Sequence, residues 1–438
     1  MDLNNVSEQM SSKLKAIIPA INASHGGSPA DDIVPAVDLS LAENDLLREE
    51  ILALAKNSLT NHLKPKDLAY PAGFGGDPAL LASLARFFNA NFNPSTPVQP
   101  DHIVATSGAG NALDALLCGI CNQGDKVLVV CPCWEGFAPY FRIHADVTPI
   151  PVAGSSPADA TTMSIVGALK ATYEGDPNPA HIKAVVITNP NNPLGRCYAP
   201  EVLQAYLRFC AVHNLHFISD EVYALSSFRE DHTLPPFTSA LSLLDGNENL
   251  SLSPIMAFRV HVVWSLSKDF GCSGIRLGCI VTQANAALRL GAGLASYWQV
   301  SSLASVLAKA LLDSPDLAAL MQRNSQALGE AYRVMTEGLD RLGIEYASAT
   351  HGLFVFARVV SSSSGGGGCS AQQEAEEEEE ATAVQTLRRM GLVIAPGRRF
   401  MLGATSAREC GWIRITFATG EGKIQRALDA IARFRGLE

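Results

Sequence analysis

Charge is scarce in this chain, and a surplus of the positive sign is missing altogether. Only 17% of its 438 residues are Asp, Glu, Lys or Arg, and 43 acids against 33 bases leave a formal net charge of −10. A general binder of nucleic acid or of an anionic membrane surface carries the opposite balance, so neither is expected as a partner. A long uninterrupted apolar run is missing too. The longest apolar region, around Leu290–Leu312, is preceded by Arg289 and broken by Gln299, several serines and Lys309. A membrane-spanning helix needs roughly 20 predominantly apolar residues. The opening MDLNNVSEQMSSKLKAIIPA has no basic segment leading into a long apolar core, so no secretory signal is read and the cytoplasm is the expected compartment. What remains is 47% hydrophobic, an ordinary globular composition with enough apolar residues for a substantial core. At this length one core is exceeded and two domains are expected.

Cysteine is not among the shortages. Cys118 and Cys121 are spaced as Cys-x-x-Cys, and Cys131 and Cys133 follow nearby, a grouping that invites comparison with a zinc site. Cys118 falls inside the helix-like run ALDALLCGI, however, and the second pair flanks a strand end. The four are read as buried or free thiols of a reducing compartment, with no metal.

Strand and helix signals alternate along the middle of the chain. Val37–Glu43 alternates like a strand, and NDLLREEILALAK has helical period with Asn44 as its N-cap. The loop YPAGFGGD precedes a helix beginning at Pro78. HIVATS, KVLVV, KAVVIT, LHFIS and the apolar run Val262–Trp264 read as buried strands, with helical segments between them. That alternation predicts a mostly parallel sheet covered on both faces. From Ala284 to Leu342 the pattern is helical, ending in a long helix from about Leu317 to Arg341 that bridges the domains. Ser361–Ala381 (SSSSGGGGCSAQQEAEEEEEA) is low in complexity and then acidic, and is read as a mobile surface insertion.

The residues able to do chemistry follow the strands. After HIVATS come Gly108, Ala109, Gly110 and Asn111, a small-residue turn at a helix N-terminus, where free backbone N–H groups suit an anion. Trp134 follows KVLVV and offers a ring for stacking. KAVVIT runs into NPNNPLG, a rigid loop presenting an amide side chain. Asp220, Glu221, Val222 and Tyr223 follow LHFIS. An acid there could pair with a protonated pyridine nitrogen, or cap a helix. Arg414 sits inside the strand WIRITFA and needs a partner, either a carboxylate of the chain or that of a substrate. All these groups fall at strand carboxyl ends or beside them, where open α/β sheets bind ligands.

The stretch VVWSLSKDFGCSGIRLG is the most informative. Lys268 lies at the mouth of a buried strand, where desolvation disfavours the ammonium form. That makes it a suitable amine for a Schiff base with an aldehyde. Ser265, Ser267 and Arg276 beside it supply hydroxyl donors and a planar fork that suit a phosphate. An aldehyde and a phosphate on one small molecule describe pyridoxal 5′-phosphate (PLP).

These pieces, in this order, resemble the fold-type-I PLP enzymes of the class I/II aminotransferase family, and within it the 1-aminocyclopropane-1-carboxylate (ACC) synthase-like branch. The likeness runs from SLAEN to Phe417 and rests on TNPNNPLG, SDEVY, SLSKD with the GIRLG that follows, and WIRITFA. It implies an α/β PLP-dependent transferase-like fold, with a large domain whose mostly parallel central sheet lies between helices and a smaller α+β domain. The expected division is 1–60 contributing to the small domain, 61–315 as the large domain, and 316–438 as the small domain carrying the insertion 361–381. The resemblance further implies that Lys268 binds the cofactor as an aldimine and then shuttles the proton of the substrate Cα. Asp220 would pair with the pyridinium nitrogen, and Asn192 and Tyr223 with the ring's phenolic oxygen. Ser265, Ser267, Arg276 and the backbone of Ala109 and Gly110 would hold the phosphate, and Trp134 would stack on the ring. Arg414 would bind the substrate carboxylate, and Glu43 would lie near the substrate amine. Members are usually homodimers in which a tyrosine of the neighbouring subunit reaches the phosphate. Here Tyr70 and Phe74 are the two positions in register, Phe74 being the one that aligns with the tyrosine of plant-type ACC synthases.

Three reactions share this machinery: transamination, loss of a β-leaving group, and displacement of a γ-sulfonium to close a cyclopropane. The pocket decides among them by aligning the bond that breaks. Branch resemblance points to carbon–sulfur cleavage of an α-amino acid substrate, with an aminotransferase as the alternative. A cofactor-bound regulatory module is the remote third possibility. No helix-turn-helix segment accompanies these motifs, and no catalytic group is missing.

Overall fold

The computed structural model describes residues 6–8, 10–15, 18, 37–70, 73–229, 231–244, 254–297, 300–360, 370–402 and 411–437. The first strand, β1 (Val37–Asp38), occupies only the start of the expected strand Val37–Glu43. Seven more follow: β2 (Ile103–Thr106), β3 (Lys126–Cys131), β4 (Thr148–Ala153), β5 (Ile182–Thr188), β6 (His216–Asp220), β7 (Val260–Ser265) and β8 (Gly278–Val281). These seven form one sheet in the order β2-β8-β7-β6-β5-β3-β4. Neighbours from β4 to β7 run parallel, whereas β8 is antiparallel to both β7 and β2. The mostly parallel sheet expected from the alternation of strands and helices is therefore present.

Both faces of this sheet are buried, and the two-residue period of a strand divides its side chains between them. Leu128, Val130, Val185, Ile187, Val262 and Trp264 join one apolar cluster. Their strand neighbours Val127, Val129, Ala184, Val186 and Val263 join another on the opposite face. Helices Ala109–Ile120, Ser164–Gly175 and Pro200–His213 are the crossovers that cover them. Pro200–His213 stops where Asn214 takes a left-handed conformation at φ 61°, a C-terminal signal that asparagine tolerates.

The remaining strands are β9 (Glu345–Tyr346), β10 (Phe354–Arg358), β11 (Leu392–Val393), β12 (Ala395–Pro396) and β13 (Trp412–Thr416). An antiparallel sheet runs β12-β13-β10-β9, and β11 pairs with β1. Their apolar faces build a further cluster with Leu328, Met335, Ile424 and Leu428. Helix Leu317–Arg341 has the limits expected of it. It bridges the cores, placing Leu320 in the first cluster and Leu328, Ala331, Met335 and Leu339 in the last. The N-terminal segment is shared in the same way: Val37, Leu39 and Ala42 pack with the smaller sheet, Leu47 and Ile51 with the larger.

Two local expectations need correction. Asn44 is not a helix cap, because the helix begins at Arg48 and runs to His62. Asn44 is instead fully buried, and its Nδ2 donates to Asn324 Oδ1 of the bridging helix at 2.9 Å. The insertion 361–381 is not a mobile surface segment throughout. Residues 361–369 lie outside the described part, but Ser370–Arg389 is one helix that includes the whole glutamate run. Its last glutamate, Glu380, is 1% exposed. A helix lets one member of an acidic run turn inward while its neighbours stay solvated, which composition alone does not reveal.

Candidate active site

The carboxyl ends of β2, β3, β5, β6 and β7 open on one side of the larger sheet. Arg414 on β13 and the segment Leu41–Glu43 face them across a cleft of about 280 Å³. The cleft gathers Glu43, Ala109, Gly110, Trp134, Asn192, Asp220, Tyr223, Ser265, Ser267, Lys268, Arg276 and Arg414. Every expected site residue is there except Tyr70, which stands on the surface at 84% exposure. Phe74, the other position in register, is engaged within its own chain, with its ring 6.0 Å from that of Tyr297.

Lys268 belongs to the short helix Leu266–Asp269 that directly follows β7. Its Nζ donates to the carbonyl of Ala42 at 2.7 Å. Burial pulls its pKa from 10.5 to about 8; Arg414 and Arg276 push the same way, and Glu43 and Asp220 oppose them. The adjacent Asp269 is fixed from below. Its carboxylate accepts from Ser226 Oγ at 2.6 Å, Leu225 N at 3.2 Å and Trp264 Nε1 at 3.0 Å. The backbone of the lysine is thereby anchored to the core, and only its side chain reaches the cleft.

Asp220 is the last residue of β6 and 4% exposed. Burial pushes its pKa up to about 7, against the pull of the Val222 N–H and of Lys268. Its Oδ1 is buried with no hydrogen-bond partner. A buried carboxylate oxygen left unpaired is costly, so a donor from a ligand is what this atom lacks. Burial likewise raises the pKa of Tyr223, keeping its hydroxyl protonated.

A second cradle lies between β2 and helix Ala109–Ile120. Gly108 has φ +87°, and a Cβ there would stand 2.6 Å from Arg276 Nη2. A Cβ on Gly110 would stand 2.7 Å from Tyr140 Cε1. Glycine at these positions keeps the first N–H groups of the helix open beside a guanidinium. Arg276 is held by the carbonyls of Ser273 and Ser107 at 2.8 and 3.1 Å. Arg414, buried, spends Nη1 on Asn192 Oδ1 at 3.0 Å and Nη2 on the Ser40 carbonyl. Its Nε is buried without a partner, and its Cζ lies 5.1 Å and 4.9 Å from the ring centroids of Phe354 and Phe400. Among the described residues neither arginine has a carboxylate within salt-bridge distance. Two guanidinium groups without carboxylates mark places for two anionic groups of ligands.

The chain matches the family model for aminotransferase class I and II over residues 36–431. The chain belongs to the class I/II aminotransferase family. It is 39% identical over 427 residues to "Probable aminotransferase aclI" of Aspergillus oryzae, covering 97% of this chain and 96% of that one. It is 30% identical over 401 residues to "1-aminocyclopropane-1-carboxylate synthase 1" of Oryza sativa subsp. indica, covering 88% and 78%. Its fold matches a single mutant of Thermus thermophilus aspartate aminotransferase with a TM-score of 0.73 at 21% identity, over 99% of this chain and 100% of the other.

The cofactor of this class I/II enzyme is PLP, and the cleft fits it. The orphaned Oδ1 of Asp220 suits a ring N–H, and the turn at Gly108–Gly110 with Arg276 suits a phosphate. Among the described residues Lys268 is the one lysine lining the cleft.

Sequence reasoning overlooked several contributors. Glu135 and Tyr140 line the cleft; Tyr140 packs on Trp134 with ring centroids 5.2 Å apart. Ser273 Oγ holds Glu43 Oε2 at 2.9 Å. Tyr140 sits six residues beyond Trp134 on helix Phe137–Ile143, and no motif marks it. Only the turn from β3 into that helix brings it back over Gly110. The Cys131 and Cys133 sulfurs lie 3.9 Å apart beneath this turn, both side chains buried.

Proposed function

We propose that the chain is a carbon–sulfur lyase, cleaving the thioether of an S-substituted cysteine or a related sulfur-bearing α-amino acid. The observation that carries this reading is the charge plan of the cleft. Among the described residues, beyond Lys268, Arg276 and Arg414, the charged residues lining it are carboxylates: Glu43, Glu135 and Asp220. With Arg414 taken by the α-carboxylate and Arg276 by the phosphate, a second carboxylate on the substrate finds no further arginine lining this cleft among the described residues. A neutral thioether or a sulfonium meets no such penalty. The 30% identity to the rice protein named an ACC synthase supports the same branch.

In this reading Arg414 holds the substrate carboxylate, and Asn192, whose Oδ1 is committed to Arg414, turns its NH₂ toward the cofactor's phenolic oxygen together with the Tyr223 hydroxyl. Ser265, Ser267, Arg276 and the N–H groups of Ala109 and Gly110 hold the phosphate, Trp134 covers the ring, and Asp220 keeps a proton on the ring nitrogen. PLP, when bound, supplies the electron sink for the bond broken at Cα. Lys268 Nζ takes the Cα proton, while Glu43 faces the substrate amine. Loss of the thiolate from Cβ, which leaves as the thiol once protonated, would give an unsaturated 2-amino acid that takes up one water to yield the 2-oxo acid and ammonia. The active unit is a homodimer, with the exposed Tyr70 reaching the phosphate of the neighbouring subunit.

The names of relatives such as "Probable aminotransferase aclI" favour the second reading, an aminotransferase. One assay separates them. Incubation with S-methyl-L-cysteine alone is expected to release pyruvate, ammonia and methanethiol. Turnover that appears only when a 2-oxo acid acceptor is added would overturn the lyase.

The lowered pKa of Lys268 gives a pH expectation. Only the neutral amine attacks an aldehyde, so cofactor uptake by cofactor-free protein rises about tenfold per pH unit up to about 8. Above that it flattens, as the amine is already neutral. Stopped-flow absorbance at a series of pH values tests this; a rate still climbing steeply toward pH 10.5, the ordinary lysine value, would refute it.

A further inference from the structure

The acidic run of the insertion has no place in the function so far, yet its last member is buried against the backbone of the two segments that carry Phe400 and Arg414. Glu380 lies on helix Ser370–Arg389 and is 1% exposed. Its Oε1 accepts from the backbone N–H of Arg398 at 3.3 Å, and its Oε2 from that of Gly411 at 3.0 Å. One carboxylate thus ties together two points 13 residues apart in sequence. The first point lies within the short helix Gly397–Met401, which also carries Arg399 and Phe400. Arg399 Nη1 lies 3.6 Å from Glu135 at the cleft wall. Phe400 accepts through its carbonyl from Cys133 N at 2.8 Å, and its ring flanks the Arg414 guanidinium at 4.9 Å. The second point, Gly411, leads directly into β13 and Arg414.

We propose that Glu380 is a positioning residue for carboxylate recognition: it clamps the two chain segments that present Phe400 and Arg414, and so sets the aromatic slot in which the guanidinium stands. This rests on the reading of Arg414 given above. The physical argument is one of coupling. A guanidinium between two rings is held by its neighbours rather than by a carboxylate. One wall of that slot belongs to a short turn whose second N–H would otherwise lack a partner. A buried carboxylate that accepts from two backbone N–H groups holds both segments, and removing it frees them at once.

The test compares S-methyl-L-cysteine with its carboxamide, which lacks the carboxylate, as ligands of the PLP-loaded protein, read by the absorbance change of the bound cofactor. Glu380→Ala is expected to weaken binding of the acid by about tenfold or more, as expected for loss of two buried hydrogen bonds, while the carboxamide binds as before. Amide hydrogen exchange at Arg398 and Gly411 should accelerate together. Glu380→Gln, which keeps the shape and one acceptor, should show the same selective loss in smaller degree, and it carries the test should the alanine variant not fold. Unchanged binding of the acid, or equal weakening of acid and carboxamide, overturns the proposal, because either result makes Glu380 purely structural. A wild-type protein that does not prefer the acid to the carboxamide overturns the role of Arg414 itself. That failure is told apart by appearing before any substitution is made.

Discussion

Lys268→Ala is expected to lower turnover of the amino acid substrate by about 10³-fold or more, because one amine performs two tasks. In the proposed mechanism Nζ anchors the cofactor before substrate arrives and moves the Cα proton afterwards, and among the described residues no second lysine lines the cleft to replace it. The fold should survive. The short helix that carries Lys268 is fixed by Asp269 through three hydrogen bonds that do not involve the lysine side chain. Removing an amine that burial already discourages from being charged carries no large stability penalty. Borohydride treatment followed by peptide mass analysis should locate the cofactor on Lys268 in the wild type and nowhere in the variant. Added methylamine should restore a part of the activity by supplying the missing base. Activity within tenfold of wild type in the variant, without added amine, would falsify the assignment.

The second large effect is expected at Arg414. Truncating one member of a buried, hydrogen-bonded charge pair costs about 2–5 kcal/mol. For Arg414→Ala that corresponds to a fall of roughly 30- to 4,000-fold in kcat/KM, carried mainly by KM. Arg414→Lys should not rescue it, since an ammonium cannot offer the planar fork that the slot between Phe354 and Phe400 accommodates. The cofactor should remain bound in both variants, because in the proposed arrangement its phosphate and ring nitrogen are met by Arg276 and Asp220 rather than by Arg414. A wild-type KM in Arg414→Ala would assign the substrate carboxylate to another group. Among the described residues the cleft then has Arg276 as its remaining guanidinium, and that one is held at the glycine turn.

Much of this architecture was readable before folding was considered. Buried parallel strands announce themselves as short apolar runs, and the groups that follow them at each carboxyl end collect on one edge of the sheet by topology alone. Gly108 and Gly110, Asn192, Asp220, Tyr223 and Lys268 each follow or end a strand, so chain order was enough to place them together. Helix Leu317–Arg341 was legible because its apolar period persists for seven turns without a glycine or proline strong enough to end it.

What escaped sequence reasoning shares one physical cause: it depends on contacts between segments distant in the chain. Asn44 looks like a cap when only its own helix is considered, and becomes a buried partner of Asn324 once the bridging helix is packed over it. Glu380 is indistinguishable from Glu378 and Glu379 in composition, yet those two are exposed and Glu380 is buried. Only the placement of its helix beside Arg398 and Gly411 decides the difference. Tyr140 and Glu135 enter the cleft because the chain turns sharply after β3. Local chemistry and periodicity therefore determine which residues can serve a cofactor and on which edge of the sheet they gather. Tertiary packing decides their charge states, the open oxygen of Asp220 and the aromatic slot around Arg414, because burial and long-range hydrogen bonds are properties of the assembled fold and not of any segment.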